Sequence, residues 1–202
     1  ITCRDWSSDV CSSDLCCTQN PAQDFLKRIP LYPEEAIRIK NLIQSRSDFE
    51  LKEDLFLPDE NNHLLYIFRY TINLDGKNCC VLRNDQGLCS HYTARPLACQ
   101  AYPLSLKTQD AFNQLIILDL DCPAIRSNDA AYRNLDPTKL AEIFKDEHPV
   151  ARRLLAREKA MQLALRLKAK ELGIQAVIEW DRIIANHYRW QNWQRIDVLP
   201  DE

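Results

Sequence analysis

Seven cysteines, Cys16, Cys17, Cys79, Cys80, Cys89, Cys99 and Cys122, are the residues of this chain whose type and placement could do chemistry. A thiolate is a soft ligand that suits zinc and iron–sulfur clusters rather than magnesium or calcium. Two doublets and three singles imply ligands gathered from separate loops. No clean pair of C-x-x-C motifs is present, so spacing alone leaves metal binding, thiol redox chemistry and disulfide bonding open. An odd count does not suit a closed disulfide framework. Cys99 lies in RPLACQAYP, early in a short helix opened by Pro96. There the helix dipole and the charge on Arg95 are expected to lower its thiol pKa and favour the thiolate.

Two further cysteines, Cys3 and Cys11, belong to a segment of different character. Residues 1–15 show no helical or strand periodicity. DWSSDVCSSDL, Asp5 to Leu15, resembles the translation of a common short-read sequencing adapter. We therefore read residues 1–15 as not native and exclude them from the fold. Cys3, Trp6 and Cys11 then carry no function, and native residues are expected to have preceded Cys16.

The bulk properties narrow the function classes. The chain has 202 residues, 27% of them charged, and a formal net charge of −3. That charge recruits neither nucleic acid nor an anionic membrane surface. No apolar run approaches the roughly 20 residues needed to span a bilayer, and the expected location is cytoplasmic. Only three glycines occur, Gly76, Gly87 and Gly173, so Gly-rich phosphate loops are absent. No Ser/His/Asp triad or paired-carboxylate site stands out.

The elements that must position the cysteines can be read from pattern. Pro30 to Arg46 reads as a turn and a helix, with Pro33 at its first position, Glu34 and Glu35 at its positive end, and Ile37, Leu42 and Ile43 inward. HLLYIFRYTINL reads as a strand after a polar loop at Asp59 to Asn62. Asp75-Gly76 is a turn signal with NCCVLR as the returning strand. Pro96 to Ala101 makes one or two helical turns stopped by Pro103, and FNQLIILDL is a further strand. Asp136 caps a short helix to about Asp146. Pro149 to Leu172 is a long helix with Val150, Leu154, Met161, Leu165 and Leu172 on one face, ended by Gly173. Ile174 to about Trp190 is expected to form another helix. The resulting fold class is α+β: a small antiparallel sheet and short helices around a cysteine metal site (16–135), followed by a C-terminal helical extension (136–202) packing on it.

CCVLRNDQGLCSHYTARPLACQAYP resembles the signature of the YkgJ-like or CxxCxxCC cysteine-cluster family of zinc- or iron-chelating proteins. Cys79, Leu82, Gly87, Cys89, Ser90, Tyr92, Arg95, Pro96, Cys99 and Pro103 stand at matching positions. The resemblance implies that Cys16-Cys17 closes the family's N-terminal C-x-x-C-x-x-C-C, and that DCPAI at 121–125 holds its late Cys-Pro. It implies Cys16, Cys17, Cys79, Cys89, Cys99 and Cys122 as ligands for iron, held as a simple site or an iron–sulfur cluster, or for zinc. Cys80, His91, Tyr92 and Arg95 are candidates to support the site from beside it. Three departures stand out: the extra Cys80, His91 at a commonly aliphatic position, and Gln100 in place of arginine. Flagellin lysine methylases carry a similar block, which makes side-chain modification one implied activity, although one motif serves many functions.

Each feature also has a plainer explanation. Cys80 reads equally as a small buried hydrophobe. His91 fits a surface or hydrogen-bonded histidine, and Arg95 a residue holding backbone carbonyls. Tyr92 and Tyr102 are expected to pack in the core. Arg152, Arg153, Arg157, Lys159, Arg166, Lys168 and Lys170 read as the solvated face of an amphipathic helix rather than an RNA-binding surface. Trp180, Trp190 and Trp193 are expected to dock the last helix rather than stack on bases. Two readings remain: a redox or catalytic metal centre, or structural zinc in an adaptor whose C-terminal helices bind a protein partner.

Overall fold

The computed structural model describes residues 29–43, 51–72, 80, 82, 84, 89–109, 114–120, 122, 125, 132, 135–174 and 187–199. Residues 1–15, Cys16, Cys17, Cys79, the Asp75-Gly76 turn and Trp180 lie outside the described residues. Within them the α+β expectation holds. The central strand is β3 (Leu64–Ile72), built on the aromatic and β-branched run foreseen for it. It pairs antiparallel with β2 (Leu51–Asp59) from Asp59↔Leu64 to Leu51↔Ile72, with irregularities on either side of Leu55. Asp59 closes the connection: its Oδ1 accepts the Asn61 and Asn62 backbone N–H groups at 3.1 and 3.2 Å, and its Oδ2 accepts Asn62 Nδ2 at 2.7 Å. The other edge of β3 is shared by β1 (Ile29–Leu31), antiparallel along residues 70–72, and β6 (Gln194–Asp197), parallel along residues 64–67. A separate hairpin pairs β4 (Leu104–Thr108) with β5 (Gln114–Leu118).

Pattern reading did not anticipate β1, β2, β4 or β6. Charges and Pro58 interrupt the alternation of LKEDLFLPD, and strands of three to five residues are too short to carry a period. Of the helix foreseen from Ile174 to about Trp190, residues 175–186 lie outside the described residues, and His187–Trp190 form a 3₁₀ turn that leads into β6. Trp190 is buried there and meets Phe56 edge-on at 5.6 Å, so it anchors the chain on the sheet as a docking residue would.

Helix α1 (Pro33–Leu42) starts where Pro33 and the two glutamates predict, but its inward face is different. Ala36, Ile39 and Ile43 are buried against the sheet, whereas Ile37 and Leu42 are half exposed. The three inward residues are spaced by three and four positions, the step of one helical face, and Ile37 and Leu42 fall off that face.

Helix α2 (Leu97–Ala101) is the short helix expected around Cys99, and α3 (Pro137–Ile143) is capped by Asp136. Asp136 Oδ1 accepts the Thr138 and Lys139 N–H groups at 2.8 and 2.9 Å. Replacing Asp136 with alanine is expected to cost about 1 kcal/mol, readable as a shift of the urea midpoint; no shift would show that the cap is idle.

Helix α4 (Glu147–Glu171) is the long helix, and Gly173 ends it with φ +66°, a conformation glycine adopts without a Cβ clash. Leu154, Met161 and Leu165 face the core as expected, with Val150 and Leu172 at its margin. No described helix is long and apolar enough to cross a membrane.

Three apolar cores result; one, of Phe56, Leu65, Ile67 and Trp190, seats the chain end on the sheet, and the other two carry the described cysteines. The larger gathers α4 residues with Leu55, Leu57, Phe68, Ala101, Leu104 and Cys122. The smaller gathers Ile29, Leu31, Ala36, Ile39, Ile43, Ile72, Cys80 and Leu82. Ala98 of α2 touches both.

Candidate metal centre

Three of the cysteines come together on the smaller core. Cys80 is buried in it, and Cys89 and Cys99 pack against it half-buried. Backbone pairing explains the first two. The Ser90 N–H donates to the Leu82 carbonyl at 2.9 Å. Cys80 and Cys89, near those two residues in the chain, each sit on an isolated β-bridge. Cys99 arrives separately as the third residue of α2. Cys80, read from sequence as the doublet member beside the site, is thus the one placed in this core; Cys79 lies outside the described residues. Cys122, expected among the ligands, is buried in the larger core beside Ala101, Leu104 and Ile125.

Glu35 holds the helix that carries Cys99. Its carboxylate is buried, with Oε1 accepting the Leu97 N–H at 2.8 Å and Oε2 accepting the Tyr32 N–H at 3.1 Å. One side chain therefore joins the start of α1 to the start of α2. Burial pushes the Glu35 carboxyl above its ordinary pKa, opposed by the Leu97 and Tyr32 N–H bonds, which favour the charged form.

The supporting residues foreseen in the signature are placed less centrally. Tyr92 is more than half exposed, not packed in the core. It sits on a 3₁₀ turn (Tyr92–Ala94), and the Arg95 guanidinium lies 3.7 Å above its ring centroid while Arg95 Nε donates to the Tyr92 carbonyl at 3.2 Å. Arg95 therefore holds a backbone carbonyl, and its aromatic partner faces solvent because that turn lies outside all three cores. The His91 carbonyl accepts the Ala94 N–H at 2.9 Å, closing the turn. Gln100 Nε2 donates to the Arg95 carbonyl, tying the turn to α2.

Behind Cys99 lies a cavity of about 440 Å³, walled by β1, β3, the β4–β5 hairpin, α2 and α4. A charged network forms part of its wall. Arg69 Nε donates to Asp54 Oδ2 at 2.7 Å, and Arg69 Nη1 donates to Glu158 Oε1 at 3.1 Å and Oε2 at 3.3 Å. Tyr32 Oη donates to Glu158 Oε2 at 3.3 Å, and Gln162 Nε2 to Glu158 Oε1 at 3.2 Å. Burial, reinforced by the Glu158 charge, raises the Tyr32 pKa well above the ordinary phenol value, so the hydroxyl stays a donor. Burial works to lower the Arg69 pKa, but Glu158 and Asp54 outweigh it.

None of these charges stood out in the sequence, although one signal was there. Glu158 follows Leu154 by four positions and precedes Met161 by three, so it occupies a core position of the long helix. A carboxylate on an apolar period demands a buried partner, and Arg69 provides it. The remaining basic residues of α4 behave as a solvated face: Arg157 pairs with Glu34 at 2.8 Å and Lys168 with Glu171 at 2.7 Å, while Arg152, Arg153, Lys159, Arg166 and Lys170 are exposed.

The donor set has the chemistry of a soft-metal site, with thiols on an apolar surround that limits water. Among the described residues no three His, Cys, Asp or Glu side chains come together closely enough to hold an ion.

No curated protein and no solved structure matches this chain. The sequence profile of the CxxCxxCC family, described as "Putative zinc- or iron-chelating domain", matches residues 3–123. That span takes in Cys80, Cys89, Cys99 and Cys122, the helix-joining Glu35 and the cavity residues Tyr32 and Arg69. The match covers more than half of the chain, which therefore belongs to the CxxCxxCC family of zinc- or iron-chelating domains.

Proposed function

We propose that the chain holds iron, as an iron–sulfur cluster, through cysteine thiolates. The observation that supports this best is the arrival of Cys80, Cys89 and Cys99 from three separate segments on one small apolar core. The proposed ligand set is completed by Cys16, Cys17 and Cys79, and by Cys122 of the late Cys-Pro segment. A bound cluster would supply electron transfer or Lewis-acid chemistry, and the apolar surround would limit its exposure to water. The expected compartment is the cytoplasm, where thiols stay reduced.

Metal and acid-labile sulfide content, with an absorbance spectrum, should be measured on anaerobically purified protein. Iron with matching sulfide and a broad band near roughly 400 nm is expected. Cys89→Ser and Cys99→Ser should each lower bound metal, and comparing Cys79→Ser with Cys80→Ser identifies the working member of the doublet. Protein purified with intact cysteines and holding neither iron nor zinc would overturn the proposal.

Stoichiometric colourless zinc would instead support the second reading, an adaptor held by structural zinc. One observation favours it: Leu163 and Leu167, one turn apart on α4, are about 60% exposed, an apolar pair that a protein partner could cover.

A further inference from the structure

The face of α4 opposite the core has a pattern of its own. At about 100° per residue, Leu154, Met161 and Leu165 lie together on the core side, and Arg152, Lys159 and Lys170 fall within about 20° of one line on the far side. Ala156, Leu163 and Leu167 form a second line beside the first, and Arg153 stands beyond it. Leu163 and Leu167 are 58% and 60% exposed, and the four cations are exposed as well. None of Arg152, Arg153, Lys159 and Lys170 makes an ion pair among the described residues, whereas their neighbours Arg157 and Lys168 pair with Glu34 and Glu171. The carboxylates of α4 itself do not offset the four: Glu147 and Glu158 are buried on the core side, and Glu171 is held by Lys168. From Arg152 to Lys170 the face is about 27 Å long.

These rows select among occupants. An apolar row beside a charged row of the same pitch is half of a helix–helix seam, in which leucines interdigitate and flanking charges choose the partner. A second copy of this helix would set cation against cation. A bilayer surface takes a helix with a broad apolar face, and two leucines with no aromatic residue make a narrow one. Nucleic acid would pair with the cations but leave the leucines uncovered, and as a long polyanion it would meet the field of a chain whose net charge is −3. A short acidic segment instead senses chiefly the row it lies along, because charges are screened beyond about 8 Å at physiological salt.

We propose that this face of α4 docks an acidic amphipathic helix of a partner protein, with leucine or alanine on its seam and glutamate or aspartate beside it. The proposal rests on the partner-binding part of the adaptor reading, whose partner it specifies, and is independent of which metal the thiolates hold.

The probe is a synthetic peptide of about three heptads, long enough to span the face, with leucine at a and d and glutamate at e and g. Its own glutamates oppose pairing with itself. A counterpart with glutamine for every glutamate is the neutral control. Titrated calorimetrically into the purified protein, the acidic peptide is expected to bind saturably, one per chain, and at least about tenfold more tightly than the glutamine peptide. Raising salt from about 0.1 M to about 1 M, which cuts the Debye length from about 10 Å to about 3 Å, should remove most of that difference. Lys159→Glu should weaken the acidic peptide by about tenfold or more, and Leu163→Ala with Leu167→Ala should weaken both peptides. Circular dichroism melts check that each variant folds, and Arg152→Glu replaces Lys159→Glu if that chain does not. No saturable binding of the acidic peptide, equal binding of the glutamine peptide, or unchanged affinity in the charge or leucine variants would each overturn the proposal. So would tighter binding of a single-stranded oligouridylate or of phosphatidylserine vesicles, which would assign the face to nucleic acid or membrane. Metal content is measured separately, so failure here leaves the thiolate centre standing.

Discussion

Replacing Arg69 with leucine is expected to lower stability by about 3–5 kcal/mol, because it removes the cation that two buried carboxylates share. The Asp54 and Glu158 side chains are each only 7% exposed, and Arg69 is their common partner. Its planar fork lets Nε face one carboxylate while Nη1 faces the other, at 2.7 and 3.1 Å. A lysine at position 69 keeps the charge but not the fork, so Arg69→Lys should lose a substantial part of the same stability. The cause can be separated by a double-mutant cycle. In a chain already carrying Glu158→Gln, the Arg69→Leu change leaves one fewer buried charge and should cost less than it does alone. Urea midpoints for the four chains provide the measurement. A loss below about 1 kcal/mol for Arg69→Leu would mean that the network behaves as a surface ion pair.

The second large effect is expected at Glu35. Glu35→Ala removes the acceptor for two backbone N–H groups, Leu97 at 2.8 Å and Tyr32 at 3.1 Å, next to buried residues. A buried donor left without a partner costs about 1–3 kcal/mol, so the pair should cost about 3 kcal/mol in all. Glu35→Gln keeps one oxygen and turns an N–H₂ toward the other donor; it should lose part of that amount. The two variants should also loosen α2, and with it Cys99. Equilibrium unfolding reads the first effect, and hydrogen exchange at residues 97–101 reads the second. Unchanged exchange in Glu35→Ala would show that α2 is held by its apolar contacts alone.

How much of this was legible beforehand depended on whether the information is local. β3, α1, α2, α3 and α4 were readable because each carries its own signal: a run of strand formers, a proline at the first turn, an aspartate cap, a helical period of apolar residues. The cysteine block was readable because its residue types and order are a family signature, which the profile match over residues 3–123 supports at the level of zinc or iron chelation. β1 and β6 were not readable. Each is at most four residues long and becomes a strand only because β3 offers an open edge to pair with. The exposed Ile37 and Leu42 make the same point for side chains, since the burial of a helix face depends on where the sheet lies against it.

The sequence by itself determined that this is an α+β chain with the cysteine signature of a zinc- or iron-chelating family, because residue types, their order and local periodicity belong to the chain itself. Only the tertiary structure decided the rest. It put Cys80, Cys89 and Cys99 on one apolar core and Cys122 in another, hung α2 from Glu35, and closed a cavity around Arg69 and Glu158. The physical reason is separation along the chain. Glu35 and Leu97 are 62 residues apart and Arg69 and Glu158 are 89, so each pairing exists only once packing has brought distant segments together and excluded the water that would otherwise solvate their charges.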